Sequence, residues 1–250
     1  MPGARRDALS GADGGRAEHA GLLLASYLES QDESAKRALF DQAVRACGRA
    51  RPVYEMAFER WRQSLPAGTV FQRVVTQGRF VTGLGMASAL ETGIRLHHTY
   101  GTPLIPGSGL KGLCAHYCDN AWGAQREEFR ADGAAHRVLF GDTAEAGMIV
   151  FHDAWMLPGE LGGSLVADVM TPHHQKYGGR GSAAPSDFDS PIPVGFLSIR
   201  GKFLVALSPA VQGEGSVQWT GLALKLAGEA LSKWGAGAKT RSGYGRFAAV

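Results

Sequence analysis

A glycine-rich segment near the end of the chain constrains the fold more than any other feature of the sequence. Residues 235–247 read Gly-Ala-Gly-Ala-Lys-Thr-Arg-Ser-Gly-Tyr-Gly-Arg-Phe, so four glycines alternate with cationic, hydroxyl and aromatic side chains. Apolar residues between Trp219 and Trp234 recur at helical spacing, which predicts an amphipathic helix directly before the segment. Glycine permits positive φ and a close approach of the backbone to a partner. The segment therefore predicts a loop after a helix, suited to contact with a phosphate backbone.

Two other interpretations of this segment follow from its residues. A phosphate loop of the Walker type needs Gly directly before the Lys-Thr pair and a helix after it, but position 238 is Ala and only ten residues follow Thr240. Nucleotide hydrolysis is therefore not expected. A plain glycine-rich turn between a last helix and a last strand stays open as the ordinary alternative.

Size and charge indicate an ordinary globular protein that does not hold nucleic acid by charge alone. The chain has 250 residues, 44% hydrophobic and 20% charged, which is enough to bury a core in one large domain or in a smaller domain with insertions. Its formal net charge is only +3. We therefore expect a few local basic loops that share a ligand with partner proteins.

Cysteine content and hydropathy indicate the compartment. The three cysteines form no even disulfide framework, which favours a reducing environment. The apolar run from Leu22 to Leu24 is too short for a signal peptide, and no run of the sequence reaches membrane-spanning length. We expect a cytoplasmic protein without membrane contact.

The first quarter of the chain is expected to be a tail followed by helices. Residues 1–18 lack periodicity, which predicts a flexible or partner-ordered tail. Residues 20–65 show apolar side chains at helical spacing, interrupted at Pro52 and ended by Pro66. Residues 1–66 are therefore predicted to form a tail and an N-terminal helical extension.

From Val70 onward the sequence becomes rich in β-forming runs, with a helix predicted between them and Ser108 as its N-cap. The order of strands and helices predicts an α+β fold over residues 67–250, a ferredoxin-like (RRM-like) unit with insertions. One insertion is the long polar segment of about residues 171–193, since such segments are usually functional or disordered. The predicted strands cover residues 70–76, 80–82, 94–98, 147–154, 196–199 and 202–207, the last two joined as a hairpin.

A second motif lies at residues 106–112, which read Pro-Gly-Ser-Gly-Leu-Lys-Gly. It resembles the Pro-Gly-Ser-Ser-Leu-Lys-Gly motif that opens the first helix of RAMP proteins, the ferredoxin-like RNA-binding subunits of CRISPR effectors. The sequence departs from that motif at Gly109, which removes one hydroxyl donor. The glycine-rich segment resembles the RAMP glycine-rich loop, which also lies between the last helix and the last strand. Further matches narrow the resemblance to the sixth subunit of the type III-B (Cmr) effector, at residues 83–85, 91–93, 100–103, 139–141, 151–154 and 168–173.

The resemblance covers roughly residues 70–250 and implies a function. It implies a subunit without catalytic activity or cofactor, which contacts guide RNA near its 3′ end or target RNA and packs against other Cmr-type RAMP subunits and the small helical subunit of the complex. A helix N-terminus suits this role, because it offers unpaired amides and partial positive charge. The residues expected to contact RNA are Gly107, Ser108, Gly109 and Lys111 in the first motif, His173, His174 and Lys176 in the long polar segment, and Gly237, Lys239, Thr240, Arg241, Ser242, Gly243, Tyr244 and Arg246 in the glycine-rich segment.

The remaining histidines and cysteines do not predict a metal site. Cys114, His116 and Cys118 crowd the first helix, but a zinc site would need two further ligands, and the sequence has no second closely spaced pair. We expect the thiols to be small buried side chains. His97 and His98 are predicted to lie on a strand, so their side chains would face opposite sides.

Two alternative functions stay open. Guide-processing enzymes of the wider RAMP group are metal-independent endoribonucleases that use histidine, so a nuclease of that type is the enzymatic alternative. The other is a purely structural assembly subunit, whose glycine-rich loop contacts protein instead of RNA. For the long polar segment, a plain surface loop is the alternative to RNA contact.

Overall fold

Three helices precede the first strand of this computed structural model, which describes residues 13–171 and 193–250. Asp32 caps the second of them by accepting a hydrogen bond from the Ala35 amide at 2.8 Å. Pro52 lies in the first turn of the third, where a missing amide costs little. In chain order the helices are α1 (Ala20–Ser26), α2 (Glu33–Arg49), α3 (Arg51–Ser64), α4 (Gly107–Tyr117), α5 (Ala134–Phe140) and α6 (Ser216–Lys233).

The strands form one large antiparallel sheet and one small sheet. They are β1 (Val70–Thr76), β2 (Leu104–Ile105), β3 (Ile149–Phe151), β4 (Ala154–Met156), β5 (Leu165–Met170), β6 (Val194–Ile199), β7 (Lys202–Pro209) and β8 (Phe247–Ala249). The large sheet has the order β2-β4-β7-β1-β8, and β3 also pairs with β7. Strands β5 and β6 pair with each other as the small sheet, and Ile199 at the end of β6 also forms an isolated bridge with Phe80.

Helices α4 and α6 link strands that are not neighbours in the large sheet. Helix α4 lies in the chain between β2 and β3, and these two strands pair with β4 and β7, respectively. Helix α6 connects β7 to β8, which are separated in the sheet by β1. The ferredoxin-like detail of the predicted fold stays a prediction. The two helices pack on each other, and α6 also packs against β1, β7 and β8. The α+β class predicted from the sequence is confirmed.

The predicted hairpin over residues 196–207 is wrong. Strands β6 and β7 are consecutive in the chain, but β6 pairs with β5 whereas β7 pairs with β1. The chain changes sheet at Gly201, whose φ of +136° favours glycine. The Gly201 amide donates to the Thr76 hydroxyl at 3.1 Å, which fixes this corner on β1. The local sequence was sufficient to predict the two strands and the sharp turn between them, but the partner of each strand depends on tertiary contacts.

Other predicted strands are shorter than expected. Residues 80–82 and 94–98 contribute only isolated bridges, and residues 147–154 divide into β3 and β4. Between the first two segments the Gly93 amide donates to the Leu84 carbonyl at 3.0 Å. The chain therefore folds back before a longer pairing can form.

Helix α4 begins two residues earlier than expected. It starts at Gly107 with Pro106 at the N-cap position, whereas the sequence predicts Ser108 as the N-cap. The Gly107 amide donates instead to the Asp153 carboxylate at 2.6 Å. The predicted N-cap is wrong because the capping group comes from the turn between β3 and β4, which is distant in the sequence.

Stacked aromatic rings attach α3 to the large sheet. Trp155 of β4 stacks on Trp61 and on Tyr54, with ring centroids 5.0 Å and 5.5 Å apart. Tyr54 is only 1% exposed, and its hydroxyl donates to the Met156 carbonyl at 2.8 Å. The N-terminal helices share one hydrophobic cluster with the strands. The division of the chain at residue 66 stays a prediction.

The variant Tyr54→Phe is expected to destabilise the protein by about 1–3 kcal/mol, because it leaves the Met156 carbonyl buried without this donor. Urea unfolding followed by tryptophan fluorescence measures the loss. Tyr27→Phe is the matched control, since the Tyr27 hydroxyl has no hydrogen-bond partner in residues 13–171 and 193–250. Equal stabilities of the two variants would contradict the role assigned to the Tyr54 hydroxyl.

Candidate nucleic-acid interface

The glycine-rich loop begins where α6 ends. Gly235 has a φ of +80°, and its amide donates to the Ala230 carbonyl at 3.0 Å, which terminates the helix. The rings of His116 and Tyr117 in α4 lie against Trp234, with centroids 5.0 Å and 5.1 Å away. The start of the loop is therefore fixed against α4.

Two glycines of the loop are required by close packing inside the protein. A Cβ on Gly237 would overlap the Val81 carbonyl oxygen, and a Cβ on Gly245 would overlap the Ala236 carbonyl oxygen. Their φ angles are +78° and +76°. The Ala238 amide donates to the same Val81 carbonyl at 2.8 Å. The close approach that glycine permits is thus used within the protein, at Gly237 between the loop and the segment after β1 and at Gly245 between the two ends of the loop.

The tip of the loop carries the cations and is open to a ligand. Lys239 has a left-handed φ of +59°, and a short turn, Thr240–Ser242, follows it. Lys239 is half-buried and Arg241 is exposed, and neither forms an ion pair with another described residue. Gly243 has a φ of +86° and no atom within 4 Å of an added Cβ. The tip therefore brings together five residues of the sequence prediction, Lys239, Thr240, Arg241, Ser242 and Gly243.

Tyr244 is held by an ion pair beneath the loop. Its hydroxyl donates to Asp168 Oδ2 at 2.7 Å, and Arg79 Nη1 donates to the same oxygen at 2.9 Å. Its ring lies against Phe196, 6.0 Å between centroids. Tyr244 therefore ties the loop to both strands of the small sheet. The stacking on RNA predicted for its ring stays a prediction.

The charge state of this cluster follows from its contacts. Partial burial acts to raise the pKa of Asp168, but hydrogen bonds from Tyr244 and from the Val169 amide, together with the charge of Arg79, outweigh it and lower the pKa below its ordinary value. Burial, and then the neighbouring carboxylate, raise the pKa of the Tyr244 phenol. Asp168 is therefore an ionised acceptor and Tyr244 a neutral donor at neutral pH.

Arg246 is directed toward the end of α6. Its Nη1 atom lies 3.5 Å from the Ser232 carbonyl oxygen, where a cation interacts favourably with the helix dipole. The Arg246 carbonyl accepts a hydrogen bond from the Gln77 amide at 2.8 Å. Its charge therefore lies beside the protein surface, away from the open tip.

The start of α4 already holds an anion of the protein. Because Asp153 accepts from the Gly107 amide, the partial positive charge of the helix N-terminus faces a carboxylate. The prediction that the Gly107 amide is unpaired is thus wrong. Ser108 and Gly109 are exposed, and the half-buried Lys111 forms no ion pair with the residues described. These three residues, and not the Gly107 amide, offer groups to a ligand.

The two predicted motifs lie at opposite ends of one helix. The start of α4 adjoins the turn before Asp153, whereas its end, at His116 and Tyr117, adjoins Trp234. Eleven residues of helix separate these ends by about 16 Å. The structure therefore does not merge the motifs into one pocket.

Three of the predicted RNA contacts, His173, His174 and Lys176, lie outside the described residues. Cys114 and Cys118 are buried while His116 is exposed, so their side chains do not converge on one point. Burial, followed by the neighbouring Asp119, raises the pKa of the Cys118 thiol to about 12. Within residues 13–171 and 193–250, no group of three or more His, Cys, Asp and Glu side chains is arranged to hold a metal ion.

Two residues of the interface, Arg79 and Asp168, were not assigned from the sequence. Asp168 belongs to one of the segments that carry the family resemblance, and it is a carboxylate on a strand beside apolar neighbours. A lone carboxylate at such a position signals a fixed cationic or hydroxyl partner. The identity of that partner could not be found, because Tyr244 is 76 residues away in the chain.

Comparisons with known proteins identify related chains. The family model of the RAMP superfamily matches residues 73–248. The CRISPR system Cmr subunit Cmr6 of Pyrococcus furiosus is 31% identical over 227 residues, which cover 69% of this chain and 65% of that protein. The match thus spans slightly less than two thirds of the curated relative.

Two solved structures are also similar. The crystal structure of Cmr6 from Pyrococcus furiosus has a TM-score of 0.46 and 29% identity, covering 73% of this chain and 98% of that one. A chain in the cryo-EM structure of the Type III-B Cmr-beta bound to cognate target RNA has a TM-score of 0.63 and 22% identity, covering 86% of this chain and 71% of that one. The second supports the fold. Among the described residues, no helix is long and apolar enough to cross a membrane.

Replacing Asp168 by Asn is expected to reduce stability at neutral pH by about 1–2 kcal/mol, because two donors lose their charged acceptor. Since the folded pKa is below the unfolded value of about 3.9, the stabilisation is present above that pH and is lost as the pH falls through the folded pKa. Urea unfolding of wild type and D168N at several pH values measures the difference. A difference that does not shrink in acid would contradict an ionised Asp168.

The two kinds of glycine in the loop are expected to respond differently to alanine. Gly243→Ala should cost only the left-handed conformation, about 1–2 kcal/mol, because its Cβ meets no atom. Gly237→Ala adds an overlap with the Val81 carbonyl and should cost about 3 kcal/mol or more. The unfolding midpoints of the two variants test this order, and similar midpoints would refute the close packing.

Proposed function

Because this chain belongs to the RAMP superfamily, we propose that it is a non-catalytic RNA-binding structural subunit of a type III-B CRISPR effector complex. In this role it contacts guide RNA near its 3′ end, or target RNA, in the cytoplasm. Its relative is a Cmr subunit, and a chain of the same fold belongs to a Cmr complex bound to target RNA. The proposal extends these roles to the present protein.

Two cations at the tip of the glycine-rich loop, the half-buried Lys239 and the exposed Arg241, carry the proposal, because neither forms an ion pair with a described residue. Lys239 and Arg241 are four and two positions from Gly243, where an added Cβ would meet no atom within 4 Å. The base of the loop is fixed by backbone hydrogen bonds and by Tyr244, so little conformational freedom is lost on binding. Cations on a fixed loop suit phosphates and carry no base preference.

Contacts with partner proteins are part of the same proposal. Val53 and Met56 on α3 are 50% and 58% exposed, and Val217 at the start of α6 is 66% exposed. Such apolar side chains suit surfaces that other RAMP subunits or the small helical subunit cover. The small net charge of +3 also favours RNA binding that is shared with partners.

The contacts of two histidines, His19 and His116, support a role without catalysis. A metal-independent ribonuclease needs an acid and a base that are both free to reach one phosphate. His19 Nδ1 accepts from the Leu22 amide at 3.1 Å while its Nε2 lies 2.9 Å from the His98 carbonyl, so neither nitrogen is free. His116 packs on Trp234, and its Nδ1 lies 3.1 Å from Asn120 Nδ2. These contacts do not favour His19 or His116 as the acid and base of the endoribonuclease alternative.

The double variant Lys239→Ala with Arg241→Ala is expected to weaken RNA retention by the assembled complex equally for all sequences. The slope of affinity against salt concentration should fall by about one unit for each lost phosphate contact. Fluorescence anisotropy of labelled RNA at several salt concentrations measures both quantities.

The matched control is Arg60→Ala with Lys225→Ala, which removes one exposed Arg and one exposed Lys away from the loop. This control should leave affinity and salt slope unchanged. If the loop variant instead detached neighbouring subunits while RNA affinity stayed normal, the loop would contact protein and the assembly alternative would replace the proposal.

A further inference from the structure

A cleft lies between α1 and the segment that precedes β2, away from the glycine-rich loop. Its volume is about 820 Å³, enough for a nucleotide. Leu22 and Met86 line it and are 60% and 47% exposed, which is high for side chains of this size. Its polar lining consists of His19, Arg95, His97, His98, Thr99 and Asp153.

Some of these polar groups are already engaged. Because His19 Nδ1 accepts from the Leu22 amide, the ring proton lies on Nε2 and is donated to the His98 carbonyl. His19 therefore joins α1 to the opposite wall of the cleft. Asp153, the single carboxylate of the described lining, accepts from the Gly107 amide. Its charge is thus partly neutralised by the end of α4.

His97 presents a hydrogen-bond donor. Its Nδ1 accepts from the Thr99 amide at 3.2 Å, so in the neutral ring the proton lies on Nε2. The ring is held against Tyr100 and Trp155, with centroids 4.8 Å and 4.6 Å away. Burial lowers the pKa of His97, although Asp153 acts in the opposite direction. The neutral donor form therefore prevails at neutral pH.

Two groups of the lining have no partner within residues 13–171 and 193–250. The Arg95 side chain is exposed and forms no ion pair there, and the ring of His98, which is also exposed, forms no hydrogen bond there. The cleft thus combines an unpaired guanidinium, two imidazoles that can donate or stack, and exposed apolar walls. An anionic group joined to a flat apolar group matches this combination.

We propose that this cleft binds one nucleotide of single-stranded RNA, with a phosphate on Arg95 and the base against Leu22 and Met86. The proposal rests on the RNA-binding function proposed above and adds a contact site that the sequence motifs do not contain. Nucleic acid fits better than an acidic peptide, because imidazole rings and the Met86 thioether offer flat or polarisable contacts to a base. The cleft also adjoins α4 through Asp153, so it continues the surface formed by Ser108, Gly109 and Lys111.

The first test follows the methyl group of Met86 by NMR in the full chain labelled at methionine methyl groups. Addition of octauridylate is expected to shift the Met86 signal upfield, because a base stacked on the methyl group imposes a ring current. Met56 is the internal control, since it is 58% exposed on α3 and should not move. Heparin, which has charge but no bases, should not reproduce the upfield shift.

The second test compares Arg95→Gln with Arg60→Gln, since both arginines are exposed and unpaired among described residues. In the assembled complex R95Q should weaken RNA retention about tenfold and reduce the salt slope by about one unit. R60Q should change neither quantity. Octauridylate should no longer shift Met86 in the R95Q chain at the same concentration.

The outcomes separate this site from the function on which it rests. If R95Q retained RNA normally and Met86 stayed fixed, while the Lys239 and Arg241 variant lost RNA, the cleft proposal would be overturned and the proposed function would stand. If neither variant changed RNA retention, both would be overturned. A Met86 shift caused by partner subunits in the absence of RNA would assign the cleft to a protein contact and also overturn the nucleotide site.

Discussion

Backbone hydrogen bonds of residues 79–81 join three parts of the protein. Phe80 exchanges two of them with Ile199 of the small sheet, at 2.7 Å and 2.8 Å. The carbonyls on either side, of Arg79 and Val81, accept from Gly245 and Ala238 of the glycine-rich loop. The loop lies closer to the Val81 carbonyl than a Cβ on Gly237 would allow, so glycine at this position is a condition for the shape of the sheet junction. The direction of the exposed cations depends on the same contacts.

The positive charge of the two family motifs is balanced differently within the protein. At the start of α4 the protein supplies its own anion, Asp153, and the helix dipole is already matched. At the glycine-rich loop Lys239 and Arg241 are left without an anion among the described residues. A phosphate near α4 therefore meets Lys111 and two free amides beside a negative charge, whereas a phosphate at the loop meets uncompensated positive charge. Affinity is expected mainly from the loop.

Features set by local sequence were predictable, and features set by distant pairs were not. The spacing of apolar residues was sufficient to predict α6, and the run of β-forming residues was sufficient to predict β1. The glycines of residues 235–245 were sufficient to predict the loop. The cap on Gly107 comes from a residue 46 positions away, and the partner of Tyr244 from one 76 positions away. No periodicity encodes such pairs. The same limit explains the hairpin error, since β6 has a local strand pattern but its neighbour is chosen by packing. The cleft beside His97 could not be predicted for the same reason, because its walls come from separate segments of the chain.

Helix α4 places two candidate contact points at a set spacing of about 16 Å, with the exposed Ser108 and Gly109 at one end and the loop beside Trp234 at the other. Insertion of one residue into a helix rotates everything beyond it by about 100° and moves it by about 1.5 Å. Only the addition or removal of whole turns would keep both ends facing the same side. If an RNA strand contacts both ends, the length of this one helix sets the distance between the two contacts. That distance then fixes the number of nucleotides between them.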